Sequence, residues 1–106
     1  MIHVVATIAL KAGTREEFLA HFNANVPNVL AEEGCVSYVP AVDVASGIGV
    51  QGDLRPDVVV VCEQWETLEQ LHAHLAAPHM ATYREQVKEL VEDVSLQVLS
   101  SVASAS

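Results

Sequence analysis

Three histidines lie close together in the segment EQLHAHLAAPHMATY, residues 69–83. They are His72, His74 and His79, and Pro78 precedes the last of them. Imidazoles can bind a metal ion or move a proton near neutral pH, so their spacing matters. On a helix, residues two apart point about 200° apart, so His72 and His74 cannot hold one ion together. The chain also lacks H-E-x-x-H and C-x-x-C patterns, so we expect no metal.

A role in proton transfer fits two of these histidines better. Pro78 at the first position of a new helix would place His79 at the second position. The positive end of the helix dipole disfavours an imidazolium there, so His79 is expected to stay neutral near pH 7 and able to accept a proton. His74 lies on the flank of the preceding leucine stripe. From spacing alone, two partly exposed histidines at a surface corner stay an open alternative.

Aromatic, sulfur and acidic side chains are expected near this joint between helices. Tyr83 follows His79 by four residues on the same helical face, and Met80 adds an adaptable apolar contact. Trp65 and Glu63 share one face at the end of a predicted strand. Two interpretations of this pair stay open: a pocket wall with a buried acid, or a strand end that faces solvent.

Alternation and β-branched residues predict four strands. Tyr38 alternates with Val36 and Pro40 and is expected to be half-buried. Pro40 cannot donate to a β-ladder, so its strand should be bulged or at an edge. The segment ASGIGVQGDLRPD is predicted to be a loop of about a dozen residues, a length that is often functional or mobile. The predicted strands span residues 2–10, 35–44, 58–66 and 94–99.

A helix is predicted between the first two strands from the spacing of its apolar residues. Thr14 and Glu17 have the spacing of a capping box at its start, and Gly34 is expected to end it. Pro27 lies inside this pattern, so a kink or break is expected near Asn25.

The second helical region follows the third strand, where Thr67 and Gln70 have capping-box spacing. The order is therefore β-α-β-β-α-β, an α+β, ferredoxin-like antiparallel sheet with helices on one face. Apolar residues of the first and third strands occupy both faces, so the uncovered face is expected to pack on a second copy. We expect one domain over residues 1–99 and a flexible tail over residues 100–106.

Composition limits the classes of partner. The 106 residues are 51% hydrophobic, which is high for one small domain and also favours a homodimer. A net charge of −9 argues against nucleic acid and against an anionic membrane surface. No apolar run approaches the roughly 20 residues that span a bilayer. The N-terminus lacks the basic region of a signal peptide, and we expect a soluble, cytoplasmic protein.

Three segments resemble the antibiotic biosynthesis monooxygenase (ABM) family, most closely its small quinol monooxygenases. They are VPNVLAEEGCVSYVPAVD, RPDVVVVCEQWE and EQWETLEQLHAHLAAPHMATY. The resemblance covers residues 2–99 and depends on the combination of EEGC, EQWE and AHL-x-x-PHM. His74 and His79 match the family's histidines, whereas His72 does not, and Trp65 matches its tryptophan after the third strand.

This resemblance implies a dimeric α/β barrel with a pocket between helices and sheet in each subunit. It also implies oxygenation of quinol-type or polyphenolic aromatics by molecular oxygen, without flavin, haem or metal, so no cofactor is expected. His74 or His79 would take a phenolic proton. The side chains expected to bind the substrate are Trp65, Tyr38, Met80, Tyr83 and Glu63.

Other activities stay open. An isomerase of a phosphorylated diketone, an activity found among relatives, calls for basic residues in the pocket, and Arg84 lies near the motif. A non-catalytic protein that binds a small aromatic ligand would use the same barrel. A haem degrader is not favoured, because Thr7 and Arg84 stand near the places where such relatives carry asparagine and histidine.

Overall fold

The computed structural model describes residues 1–102, and its elements follow the predicted order. The strands form one antiparallel sheet, in which the second strand pairs with the third, the third with the first and the first with the fourth, and this confirms the predicted α+β, ferredoxin-like fold. Of the predicted tail, residues 103–106 lie outside the described residues. The elements are β1 (Ile2–Leu10), α1 (Arg15–Leu30), β2 (Cys35–Ala41), β3 (Val58–Trp65), α2 (Leu68–Leu75), α3 (Pro78–Val87) and β4 (Val91–Ser100).

The core lies between the helices and the two central strands. Alternate residues of β1 face the helices, and Ala6 and Ile8 stand opposite Val61 and Val59 of β3. All four side chains are buried. Burying a valine or isoleucine side chain stabilises the fold by about 1.5–3 kcal/mol. The buried apolar residues that β1 and β3 both contribute therefore explain why these two strands form the centre of the sheet.

The helices stop short of β4, which leaves one edge of their own face of the sheet open. Val94 and Leu96 pair with Ile8 and Ala6 and therefore point to the helix side. Nevertheless they are 51% and 47% exposed. This open edge becomes one wall of the cavity described below.

The opposite face of the sheet also carries exposed apolar side chains, among them Val5 and Val39. The predicted sheet-to-sheet homodimer would bury them, and it stays a prediction. Within residues 1–102, none of the helices combines the length and apolar character that crossing a bilayer requires.

One predicted detail of α1 is wrong, and another is narrowed. The Thr14 side chain makes no cap hydrogen bond with the helix. Its backbone, at φ −103° and ψ 4°, is outside the extended region of an N-cap, and its hydroxyl donates to the Lys11 carbonyl oxygen at 2.8 Å. Of the kink or break expected near Asn25, the break is absent, since α1 runs continuously through Pro27 to its end at Leu30. Because Pro27 falls in the last turn, it removes a hydrogen bond only where the helix is about to end.

Gly34 closes the turn from α1 into β2 with φ +82°, a region that favours glycine. A Cβ there would lie 1.9 Å from Gln70 Oε1. That oxygen accepts from the Thr67 N–H at 3.1 Å, as half of the capping box predicted for α2 and confirmed by the structure.

Gly34→Ala should therefore destabilise the fold more than a matched change at Gly13. Left-handed backbone costs alanine about 1–2 kcal/mol at either position. Gly13 has φ +77° and open space around it, whereas Gly34→Ala must also displace Gln70 from its cap. Thermal denaturation of both variants measures the difference. Equal losses would show that the cap on α2 does not depend on Gly34.

Candidate functional site

A cavity of about 440 Å³ lies between α3 and the helix side of the sheet, with β4 along its open edge. Most of its lining is apolar. Five of the seven residues predicted for the site border it: Tyr38, Glu63, His74, Met80 and Tyr83. The other two, Trp65 and His79, do not line this cavity.

Trp65 lies behind the cavity wall and is fully buried. Its indole N–H donates to Glu63 Oε1 at 3.0 Å. Its ring packs against the imidazole of His74, with centroids 4.7 Å apart. The indole therefore contacts two side chains of the cavity, and its predicted contact with a substrate stays a prediction.

His74, near the end of α2, is only 1% exposed. Its Nδ1 lies 2.8 Å from Glu32 Oε2. A carboxylate can only accept, so against ionised Glu32 the Nδ1–H donates and Nε2 is left for a ligand. Burial lowers the pKa of His74, and the Glu32 carboxylate opposes this shift. The neutral, proton-accepting imidazole is thereby favoured.

His79 approaches the same carboxylate oxygen from the start of α3. Its Nε2 lies 3.2 Å from Glu32 Oε2, within ion-pair distance. Both ring nitrogens of His79 are nevertheless buried without a hydrogen bond among the described residues, because the N–H direction misses the oxygen. The two atoms are therefore close, but the hydrogen bond is not formed in this ring orientation.

A second, smaller cavity of about 220 Å³ lies between α1 and α3, and His79 borders this one. We call it the α1–α3 groove. The two predicted histidines therefore meet at Glu32 but open onto different cavities. The groove is lined by His21, Ala24, Asn25, Asn28, His79, Thr82, Tyr83 and Gln86.

Glu32 is the residue that the sequence analysis missed. It follows the C-terminus of α1, where the helix dipole disfavours a negative charge. A carboxylate at that position, two residues before the Gly34 turn, needs a hydrogen-bonding or cationic partner. Its unfavourable position was the feature of the sequence from which its role could have been inferred. The contact itself joins residues 42 apart in the chain.

Three further polar side chains of the cavity, Glu63, Tyr38 and Tyr83, have strongly shifted pKa values. Burial raises the pKa of Glu63 from 4.5 to about 7, against the lowering effect of the Trp65 hydrogen bond. Burial also raises the pKa of the Tyr38 and Tyr83 hydroxyls. Glu63 can therefore gain or lose a proton near neutral pH, and both tyrosines remain hydrogen-bond donors.

Two basic side chains also border the cavity, Arg84 and Lys88. Arg84 Nη2 donates to the Leu75 carbonyl oxygen at 2.7 Å, and Lys88 Nζ lies 2.6 Å from Glu85 Oε1. In the described part of the chain, no group of three or more His, Cys, Asp or Glu side chains is placed to hold a metal ion.

Comparisons with known proteins identify the family. The family model described as antibiotic biosynthesis monooxygenase matches residues 1–86. The chain is 43% identical to "Probable quinol monooxygenase YgiN" of Escherichia coli K12 over 101 residues, covering 93% of this chain and 96% of that relative.

Solved structures share the fold over nearly the whole chain. Rv0793 from Mycobacterium tuberculosis superposes with a TM-score of 0.79 at 26% identity, covering 99% of this chain and 98% of that one. A protein from Deinococcus radiodurans superposes with a TM-score of 0.81 at 20% identity, covering 100% and 97%. The family match, the 43% identical relative and this shared fold agree. The chain therefore belongs to the antibiotic biosynthesis monooxygenase family, and so to the oxidoreductases, as its sequence resemblance predicted.

Proposed function

We propose that this protein oxidises quinol-type or polyphenolic aromatic substrates with molecular oxygen, acting in the cytoplasm as a homodimer. The observation that carries the proposal is a buried histidine, His74, oriented by Glu32 at the wall of a mainly apolar cavity. The cavity falls within the roughly 300–1,000 Å³ typical of small-molecule sites. The name of the relative YgiN, a quinol monooxygenase, supports the substrate class.

The chemistry starts with the loss of a phenolic proton. Triplet oxygen does not react directly with a closed-shell aromatic, but a quinolate can give it one electron. His74 Nε2 takes the phenolic proton, since Nδ1 is held by Glu32. The quinolate itself is the reductant, so the proposal needs no flavin, haem or metal. One oxygen atom enters the ring to give a hydroxyquinone, and the other leaves as water.

The tyrosines and Met80 hold the aromatic ring. Tyr38 stacks on Phe22, with centroids 5.3 Å apart and planes 8° apart, so its position is well defined. Its hydroxyl and that of Tyr83 can donate hydrogen bonds to the substrate oxygens. The apolar surroundings strengthen these contacts with the quinolate, because little water competes.

Turnover of a naphthoquinol under ¹⁸O₂ tests the proposal. One ¹⁸O atom should appear in the hydroxynaphthoquinone and the other in water, as measured by mass spectrometry. Quinols oxidise unaided, so a protein-free control must be subtracted. Unlabelled quinone with hydrogen peroxide would contradict monooxygenation. Tight binding of menadione, with no oxygen uptake above the control, would identify a non-catalytic ligand-binding protein.

Arg84 and Lys88 favour a second candidate, an isomerase of a phosphorylated diketone. Both cations border the cavity and could receive a phosphate group. Such an isomerase must first bind the phosphate group of its substrate, and calorimetry with inorganic phosphate tests this binding. Binding that disappears in Arg84→Gln would support it, and the absence of any binding to the wild-type protein would contradict it.

A further inference from the structure

We propose that Glu32 and His79 form a proton path that connects His74, at the cavity, with the α1–α3 groove. The inference rests on the proposed function, in which His74 receives the substrate proton. It gives His79 a role different from that of a second base in the cavity, because His79 does not border the cavity.

One carboxylate oxygen joins the two rings. Glu32 Oε2 lies 2.8 Å from His74 Nδ1 and 3.2 Å from His79 Nε2. Exposure of the side chains increases along this line, from 2% for His74 to 16% for Glu32 and 24% for His79. The path therefore runs from the least exposed of the three side chains to the most exposed.

The reaction creates a need for such a path. A hydroxyquinone is a vinylogous carboxylic acid and is released as its anion at neutral pH. Oxidation of one quinol by one O₂ then yields a hydroxyquinone anion, one water and one proton. His74 is buried against Trp65 and Tyr38, and its one remaining side faces the cavity that the substrate or product fills. A path through Nδ1 lets the proton leave while the cavity is still occupied.

Each transfer is balanced and involves no change in oxidation state. The phenolic O–H bond breaks and an N–H bond forms at His74 Nε2. The Nδ1 proton of His74 passes to Glu32 Oε2, and the Oε2 proton passes to His79 Nε2. His79 then releases its Nδ1 proton towards the groove once its ring turns, because both ring nitrogens are buried in this orientation. Each histidine is left with its proton on the other nitrogen, and rotation of the rings restores the starting tautomers, with His74 Nε2 again able to accept. A small rotation of the His79 ring must align Nε2 with Oε2, because the two atoms are near but misaligned.

Exchange of the His74 Nδ1 proton with deuterated solvent measures the path without any turnover. Protein labelled with ¹⁵N-histidine shows this proton directly by NMR. His79→Gln should slow its exchange by roughly tenfold or more, since glutamine cannot take up a proton. Glu32→Gln should do the same, and His72→Gln, at an exposed position on α2, should not.

Chemical rescue provides a second measurement. Imidazole added to His79→Ala should enter the groove and restore the wild-type exchange rate, and it should not accelerate exchange in Glu32→Gln. Exchange that is equally fast in all folded variants would overturn the path, because local opening would then suffice. This test is separate from the proposed function: a wild-type protein with no oxygen uptake refutes that function, whereas the exchange rates still decide the path.

Discussion

Replacing His74 with glutamine is expected to lower kcat/KM for naphthoquinol oxidation by about 10²–10⁴-fold, the usual contribution of a positioned acid–base group. Glutamine fills much of the imidazole volume and can still donate to Glu32, but it cannot take the phenolic proton. Initial rates from an oxygen electrode, corrected for unaided quinol oxidation, measure the effect.

The control for this change is His72→Gln, two residues earlier on the same helix and exposed. Glutamine is preferred to alanine at position 74, because His74 packs between Trp65 and Tyr38 and truncation would leave a void. Thermal midpoints of both variants establish that the fold is kept. A folded His74→Gln protein with the wild-type rate would exclude His74 as the base.

Glu63→Gln is expected to raise the free energy of unfolding at alkaline pH by up to about 3 kcal/mol and to change it little near pH 4. Burial raises the pKa of Glu63 from 4.5 to about 7, so the folded state holds a proton that the unfolded chain has lost. The stabilisation from this proton is complete below pH 4.5 and is lost as the pH rises through about 7. Glutamine stays neutral, and its amide oxygen can accept from the Trp65 indole.

Denaturant unfolding between pH 4 and pH 9 measures this effect. Glu66→Gln is the matched control, because Glu66 is an exposed acid three residues further along. The lowered pKa of His74 changes the free energy of unfolding in the opposite direction with pH. The stabilisation from its neutral ring is lost as the pH falls below 6.5, the ordinary pKa of histidine. That contribution is present in both proteins and cancels in the difference between them. A difference that is the same at every pH would show that Glu63 is not held protonated by the fold.

The fold was predictable because its determinants are local. Strand alternation, the Thr67 cap and Pro78 each act over a few residues, and the structure contains all three. The equivalent cap at Thr14 failed although its spacing is the same. Its backbone lies outside the extended region of an N-cap, and a spacing pattern does not include backbone conformation.

The candidate site was predictable only in part, because it depends on contacts between distant segments. Alternation placed Glu63 beside Trp65, and the structure adds the hydrogen bond between them. The family pattern selected His74 and His79. Neither strand alternation nor the family pattern could show that Glu32, after the end of α1, lies between the rings of His74 and His79. That contact depends on how α1 packs against α3.

The position of Trp65 has a practical consequence for spectroscopy. It is the single tryptophan of the sequence, and it contacts the Glu63 carboxyl on its N–H and the His74 ring on its face. Indole fluorescence responds to neighbouring charge, so the emission should change as either group gains or loses a proton. The protein thus contains an intrinsic optical probe of its own acid–base groups, and ligand entry into the cavity can be followed without a label.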